Sequence, residues 1–304
     1  MQQDAYHWLA LSFVEGLGSI GYRNLIRRFH TPGGVFRASF GDLQKVEGIR
    51  SKAIKGIKEF KQTVRVEREL ELMRRHGVKL VHFLDDAYPA NLLNIYDPPP
   101  CLYVKGELRR EDSRAVAVVG SRFASTYGMM VTERISRDLA RRGITIVSGM
   151  ARGIDTSAHR GALAVKQRTI AVLGCGLDVT YPLENKKLKD EIASCGAVIS
   201  ELPMSTGPAG CNFPRRNRII SGMSLGVVVV EASHRSGSLI TARLALEQGR
   251  DVFAVPGSID SLRSKGTHQL IKEGAKLVEE AQDIVAELIP AAQSLPLPPR
   301  TDGE

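Results

Sequence analysis

Apolar side chains in the first sixty residues recur at three- and four-residue steps. Leu9, Phe13, Leu17, Ile20, Leu25, Ile26 and Phe29 fall on one side of a helical period, which predicts helices over residues 5–60. Two segments there, LGSIGYRNLIRRF (17–29) and VEGIRSKAIKGIKEF (46–60), place a glycine-containing hairpin ahead of a basic amphipathic helix. From residue 115 the pattern changes to short apolar runs alternating with helical stretches, the signature of a mainly parallel α/β sheet. Strands are predicted at Ala115 to Val119, Thr145 to Ser148, Thr169 to Leu173, Ala197 to Ser200, Gly226 to Glu231 and Asp251 to Val255. Their two-sided apolar character calls for helices on both faces.

Residues 63–112 read as a connector leading into the sheet, with a charged helix near 63–76, a short strand KLVHF (79–83) and a Pro98-Pro99-Pro100 run that stops regular structure. The expected organisation is a helical domain over 1–62, this connector, a Rossmann-like domain over 113–289, and a Pro-rich tail over 290–304 that is a linker or disordered end. Either of two readings suits the helical segment: helix-hairpin-helix (SAM-like) units whose hairpin N–H groups face a phosphate, or a small helical packing domain. Gly16 to Gly21 also has dinucleotide-binding spacing, with Asp42 about twenty residues on. That match is rejected, because the preceding LALSFV follows a helical pattern and the motif needs a strand.

Composition narrows the function classes. Lysine and arginine outnumber acids by 42 to 33, a formal charge of +9, which favours a polyanionic partner or is ordinary solubility charge. Cys101, Cys175, Cys195 and Cys211 lie far apart without a CxxC pair, so they read as reduced thiols, with neither a zinc knuckle nor a disulfide framework. No basic leader with a long apolar stretch opens the chain and no run approaches a bilayer span, so a cytoplasmic location with no membrane association is expected.

In doubly wound sheets ligands bind beyond the carboxyl ends of the strands, and here those loops are rich. They include Gly120-Ser121-Arg122, SGMARGID (148–155), GCGLDVTYP (174–182), the long 200–222 segment, EASHRSGSLITA (231–242) and PGSID (256–260). Glycine at a strand-to-helix turn lets a phosphate reach bare N–H groups at the positive end of a helix. Ser121 and Arg122 add a hydroxyl and a guanidinium, and Ser236-Gly237-Ser238 repeats the chemistry. Several such loops on one edge predict an anion site that includes Ser148 and Gly149. FPRRNRII (213–220) sets Phe213 beside Arg215, Arg216 and Arg218, the combination that stacks bases and grips phosphates of a single strand. The plainer reading makes Phe213 a core plug and at least one arginine a buried ion-pair partner. Asp155 and His159, four apart on a helix, are expected to form a hydrogen-bonded structural pair rather than an acid–base pair or metal ligands. No G-x-S-x-G elbow and no G-x-x-x-x-G-K-[ST] loop is present, so no catalytic residue, metal or cofactor is assigned.

The runs GSR (120–122), SGMARGIDTSAH (148–159), GCGLDVTYP (174–182), FPRRNRIISG (213–222), VVEASHRSGSLITARLALEQGRDVFAVPG (229–257) and HQLIKEGA (268–275) resemble the DNA-processing protein A family, DprA, also called Smf. The resemblance covers roughly residues 5–285. It implies a helical N-terminal domain, an extended Rossmann fold that dimerises, binding of single-stranded DNA, and delivery of the recombinase RecA to that DNA in natural transformation, without catalysis. By the same resemblance Gly120, Ser121 and Arg122 grip a phosphate, and Phe213, Arg215, Arg216, Asn217 and Arg218 form a basic pocket. Lys186 and Lys187, after Tyr181-Pro182, are weaker candidates, and the winged-helix domain of many members is not expected here. The competing reading is an enzyme like the lysine-decarboxylase-like nucleoside phosphate hydrolases, with Glu201 or Glu231 as the carboxylate. A nicotinamide oxidoreductase is weaker, since no G-x-G-x-x-G follows the first strand.

Overall fold

The structure, a computed structural model, describes residues 2–293. Its first part is helical: α1 (Gln2–Ser12), α2 (Ser19–Phe29), α3 (Pro32–Arg37), α4 (Phe40–Gln44), α5 (Ser51–Lys58) and α6 (Thr63–His76). Then follow β1 (Lys79–His82), α7 (Ala90–Leu93) and β2 (Cys101–Gly106). The alternating part runs β3 (Ala115–Gly120), α8 (Thr126–Arg141), β4 (Thr145–Ser148), α9 (Ile154–Leu163), β5 (Thr169–Val172), α10 (Lys186–Cys195) and β6 (Ala197–Ser200). It continues with α11 (Asn212–Gly222), β7 (Gly226–Val230), α12 (Gly237–Glu247), β8 (Asp251–Ala254), α13 (Lys265–Lys272), β9 (Lys276–Leu277) and α14 (Ala281–Gln293).

All nine strands form one sheet in the order β1-β2-β6-β5-β4-β3-β7-β8-β9. From β6 to β9 every pairing is parallel, while β2 joins β6 and β1 joins β2 antiparallel. Period-two alternation divides the apolar runs between two cores. Val116, Val118, Val228 and Val230 face α8, α9 and α14 through Ile135, Leu139, Ala158 and Ile284. Ala117, Val119, Val227 and Val229 join the cluster that holds Ile219, Ile220, Leu239 and Ala242 of α11 and α12. Each fully buried valine, isoleucine or leucine among them contributes about 1.5–3 kcal/mol.

The six predicted strands are all present, each within one residue of its expected ends. Cys101–Gly106 was not anticipated: a strand begins immediately after the three prolines and extends the sheet beyond β6. The segment expected to be a connector therefore contributes two strands, β1 and β2, to the sheet. The N-terminal helices share its core. Trp8, Leu11, Tyr22 and Leu25 belong to the same cluster as Val81, Leu102 and Val104, and the Trp8 ring stacks on His82 at 4.0 Å between centroids. The two hairpins have the same backbone path, with Gly16 and Gly48 both at φ 80°, and they pack on each other through Asn24 Nδ2 donating to Glu47 O at 3.0 Å. The helix α1 ahead of Gly16 removes the dinucleotide reading. The helix α14 carries past Pro290, so the expected boundary at 289 falls inside it, and the rest of the tail, 294–304, lies outside the described residues.

At the end of the sheet opposite the strands' carboxyl ends, Asp112 is 3% exposed and accepts from Arg168 Nε (2.8 Å) and Nη2 (2.7 Å), Thr145 Oγ1 (3.0 Å) and Arg109 N (2.8 Å). Replacing one partner of a buried ion pair strands the other. Asp112→Ala should lower the unfolding free energy by about 3–5 kcal/mol, read as a lower urea midpoint at unchanged m-value.

Candidate nucleic-acid interface

The strand order reverses between β3 and β7, and the loops beyond their carboxyl ends diverge there. Gly120 is required at that point: a Cβ on it would stand 1.8 Å from the Val230 carbonyl oxygen. The chain then turns sharply, with Ser121 Oγ accepting from Phe123 N at 3.1 Å. Ser125 caps α8 by accepting from Gly128 N at 3.0 Å. Ser125 N donates to Glu231 at 2.8 Å, and the Ser125 hydroxyl donates to the same carboxylate. Glu231, at φ 52°, thus fixes the loop that carries Arg122.

Across a cavity of about 520 Å³, Gly120, Ser121 and Arg122 face Ser236, Gly237 and Ser238, with Phe213, Asn217 and Asp155 also on its walls. Ser236 caps α12, its Oγ 2.8 Å from that of Ser238. The two serine-glycine loops therefore open on one polar cleft. The Arg122 guanidinium is exposed, lies 5.2 Å from the centroid of the Phe213 ring, and has no carboxylate within ion-pairing distance among the described residues.

Helix α11 sorts the FPRRNR side chains by role. Phe213 is half-buried between Gly174 and Tyr181, whose ring lies 5.6 Å away, so it is an aromatic wall of the cleft and not a core plug. Arg215 is exposed. Arg216 is 5% exposed, donates to Gly149 O at 2.9 Å and to Val172 O, and still lines the cavity. Burial lowers its pKa to about 10, an effect partly offset by the Asp155 carboxylate. Arg218, also expected to bind, is held by Asp97 at 3.0 Å and Glu201 at 2.5 Å. Asn217 accepts from Arg216 Nε at 3.2 Å and borders the cavity. Ser148 is a further correction: fully buried, it donates to Val118 O at 2.6 Å and lines neither cavity of the cleft. Gly149 underlies the Arg216 guanidinium, which leaves no room for a Cβ. Lys186 and Lys187 are exposed at the start of α10 and line neither this cavity nor its neighbour.

Asp155 and His159 do not bond each other, contrary to expectation. Asp155 accepts from Ala151 N at 3.3 Å, and burial raises its pKa. His159 Nδ1 bonds Thr169 Oγ1 at 2.7 Å. That hydroxyl already donates to Ile146 O at 2.8 Å, so Nδ1 carries the proton and Nε2 is left without a partner. Both carboxylates of the hydrolase reading are engaged, Glu201 by Arg218 and Glu231 by Ser125. Among the described residues no cluster of three or more metal-ligating side chains occurs, no helix is long and apolar enough to cross a membrane, and the cysteines are free thiols.

A second cavity of about 150 Å³ adjoins the first, lined by Arg122, Phe123, Arg152, Tyr181, Phe213 and Arg216 among others. Phe123, Arg152 and Tyr181 were not singled out from the sequence, although all sit in the loops that follow β3, β4 and β5, where position alone was the available signal.

The profile of the family described as DNA recombination-mediator protein A matches residues 79–289. This chain belongs to that family. It is 45% identical over 248 residues to the DNA processing protein DprA of Streptococcus pneumoniae, covering 81% of this chain and 86% of the relative. The X-ray structure of DprA from that organism superposes with a TM-score of 0.82 at 40% identity, over 93% of this member and 98% of that chain. A DNA processing protein A from Helicobacter pylori, solved for its single-stranded DNA binding mode, gives a TM-score of 0.63 at 31% identity, over 70% and 96% of the two chains.

Burial holds the His159 pKa down to about 3, against an ordinary value of 6.5. The unfolded chain therefore takes up a proton that the fold refuses, so this group's contribution to stability is present above pH 6.5 and is lost as pH falls from there towards about 3. His159→Gln should flatten the fall in unfolding free energy over that window by up to about 1.4 kcal/mol per pH unit, as measured by denaturant titrations at successive pH values. An unchanged slope would mean that the imidazole is not held neutral.

Proposed function

We propose that this protein binds single-stranded DNA in the cleft between the Gly120-Ser121-Arg122 and Ser236-Gly237-Ser238 loops, with phosphates on the loops and bases against the Phe213 and Tyr181 rings. The observation that carries the reading is Arg122: an exposed, unpaired guanidinium on a rigid glycine turn, beside an aromatic wall. Arg215 supplies a second outward charge from α11. Phosphates reached this way carry no sequence information, so binding is general and sensitive to salt. The binding mode studied in the Helicobacter pylori relative supports the choice of a single strand.

Membership of a recombination-mediator family supports the finer parts of the proposal. In these the protein works in the cytoplasm as a homodimer through its Rossmann-like part, protects incoming DNA and loads RecA onto it during natural transformation. It acts by binding, without turnover or cofactor. The engagement of Glu201 and Glu231 in structural bonds supports this over nucleoside phosphate hydrolysis.

Arg122→Ala should weaken binding to oligonucleotides of unrelated sequence alike and reduce the slope of log K against log salt by about 0.7, measured by fluorescence anisotropy across a salt series. Parental affinity and slope would remove the cleft from the binding surface. Incubated with nucleoside monophosphates, the protein should release no free base; turnover there would instead identify an enzyme.

A further inference from the structure

Phe123, a large apolar ring, is 79% exposed. It is not a loose loop tip. Its N–H donates to Ser121 Oγ at 3.1 Å and its carbonyl accepts from Arg263 Nε at 2.8 Å. Two residues further, Ser125 is bound through both its N–H and its hydroxyl to Glu231. The backbone under the ring is therefore held on both sides.

Phe123 also lines both cavities of the cleft. The larger one contains the serine-glycine loops, and the smaller one contains Arg152, Tyr181 and Phe213. The ring thus stands between a place suited to phosphates and a place suited to aromatic groups. Its neighbour Arg122 points its guanidinium at the Phe213 ring. Consecutive residues on one pinned turn therefore present a cation and a bare aromatic face, which matches the phosphate and the base of a single nucleotide.

We propose that Phe123 is a stacking platform for an unpaired nucleobase, and that it makes the cleft selective for single strands over duplexes; this rests on the cleft being the DNA-binding surface. A phenyl face has no hydrogen-bonding groups, so it accepts any base. In a duplex the bases are stacked on each other and their faces are closed to the ring. A phosphate loop by itself grips either form, whereas the platform rewards only the unpaired one.

The test compares the full chain with Phe123→Ala and Phe123→Trp on three ligands of equal length: oligo(dT), an abasic strand and a duplex. Because the ring is exposed, neither change disturbs the core. Phe123→Ala is expected to bind oligo(dT) about tenfold more weakly, as loss of one aromatic–base stack implies, with an unchanged salt slope because no phosphate contact is lost. It should match the parent on the abasic strand and the duplex. Phe123→Trp should retain affinity, and its emission should be quenched by oligo(dT) and not by the abasic strand, against the constant signal of the buried Trp8, the sole natural tryptophan. Parental affinity of Phe123→Ala for oligo(dT), or an equal loss on the abasic strand, would overturn the platform. If Arg122→Ala keeps its effect in that case, only the platform fails; if Arg122→Ala is also silent, the whole cleft is misassigned.

Discussion

One buried guanidinium organises the ligand-facing end of this fold. Arg216 rises from α11, crosses the Gly149 backbone and donates to the carbonyls of Gly149 and Val172 at the ends of β4 and β5. Gly149 lies just past β4 and Val172 is the last residue of β5, so a strong donor there satisfies carbonyls at the end of the β4–β5 ladder. The cation is tolerated because Nε and Nη1 have hydrogen-bond partners and because Asp155 offsets part of its charge. Phe213, one turn earlier on the same helix, and the loop after β5 that carries Tyr181 are placed by this arrangement.

The result is a separation between charges that build the cleft and charges that face out of it. Arg216 and Arg218 are spent inside, on backbone carbonyls and on Asp97 and Glu201. Arg122 and Arg215 remain in water. Two outward arginines on a fixed frame make a modest electrostatic surface, and the chain's overall excess of basic residues adds long-range attraction without adding geometry.

Much of this was readable from residue order. The six parallel strands stood out because strands covered on both faces are almost wholly apolar, and Gly120-Ser121-Arg122 could be placed because it follows the first of them. Pairing across distance was not readable. CLYVKG becomes a strand because β6 offers it an edge, something that no local feature near three prolines announces. Which arginine of FPRRNR turns inward depends on the carbonyls of Gly149 and Val172, contributed by other strands. Ser148 reads like a phosphate ligand until the carbonyl of Val118 is seen to claim its hydroxyl. Phe123 was overlooked because, in a one-dimensional string, an exposed phenylalanine looks the same as a buried one.

The antiparallel extension of the sheet also bears on how the chain reaches this state. β2 pairs Tyr103 with Ser200, and the N-terminal helices lean on β1 and β2. During synthesis the helices leave the ribosome before β5 and β6, and the part of their apolar surface that clusters with Ala171, Leu173 and Val198 is covered only once those strands have been made. The helical first quarter of the molecule thus completes its burial only after residues translated well over a hundred positions later have joined the sheet, as the Leu9 cluster with Val198 requires.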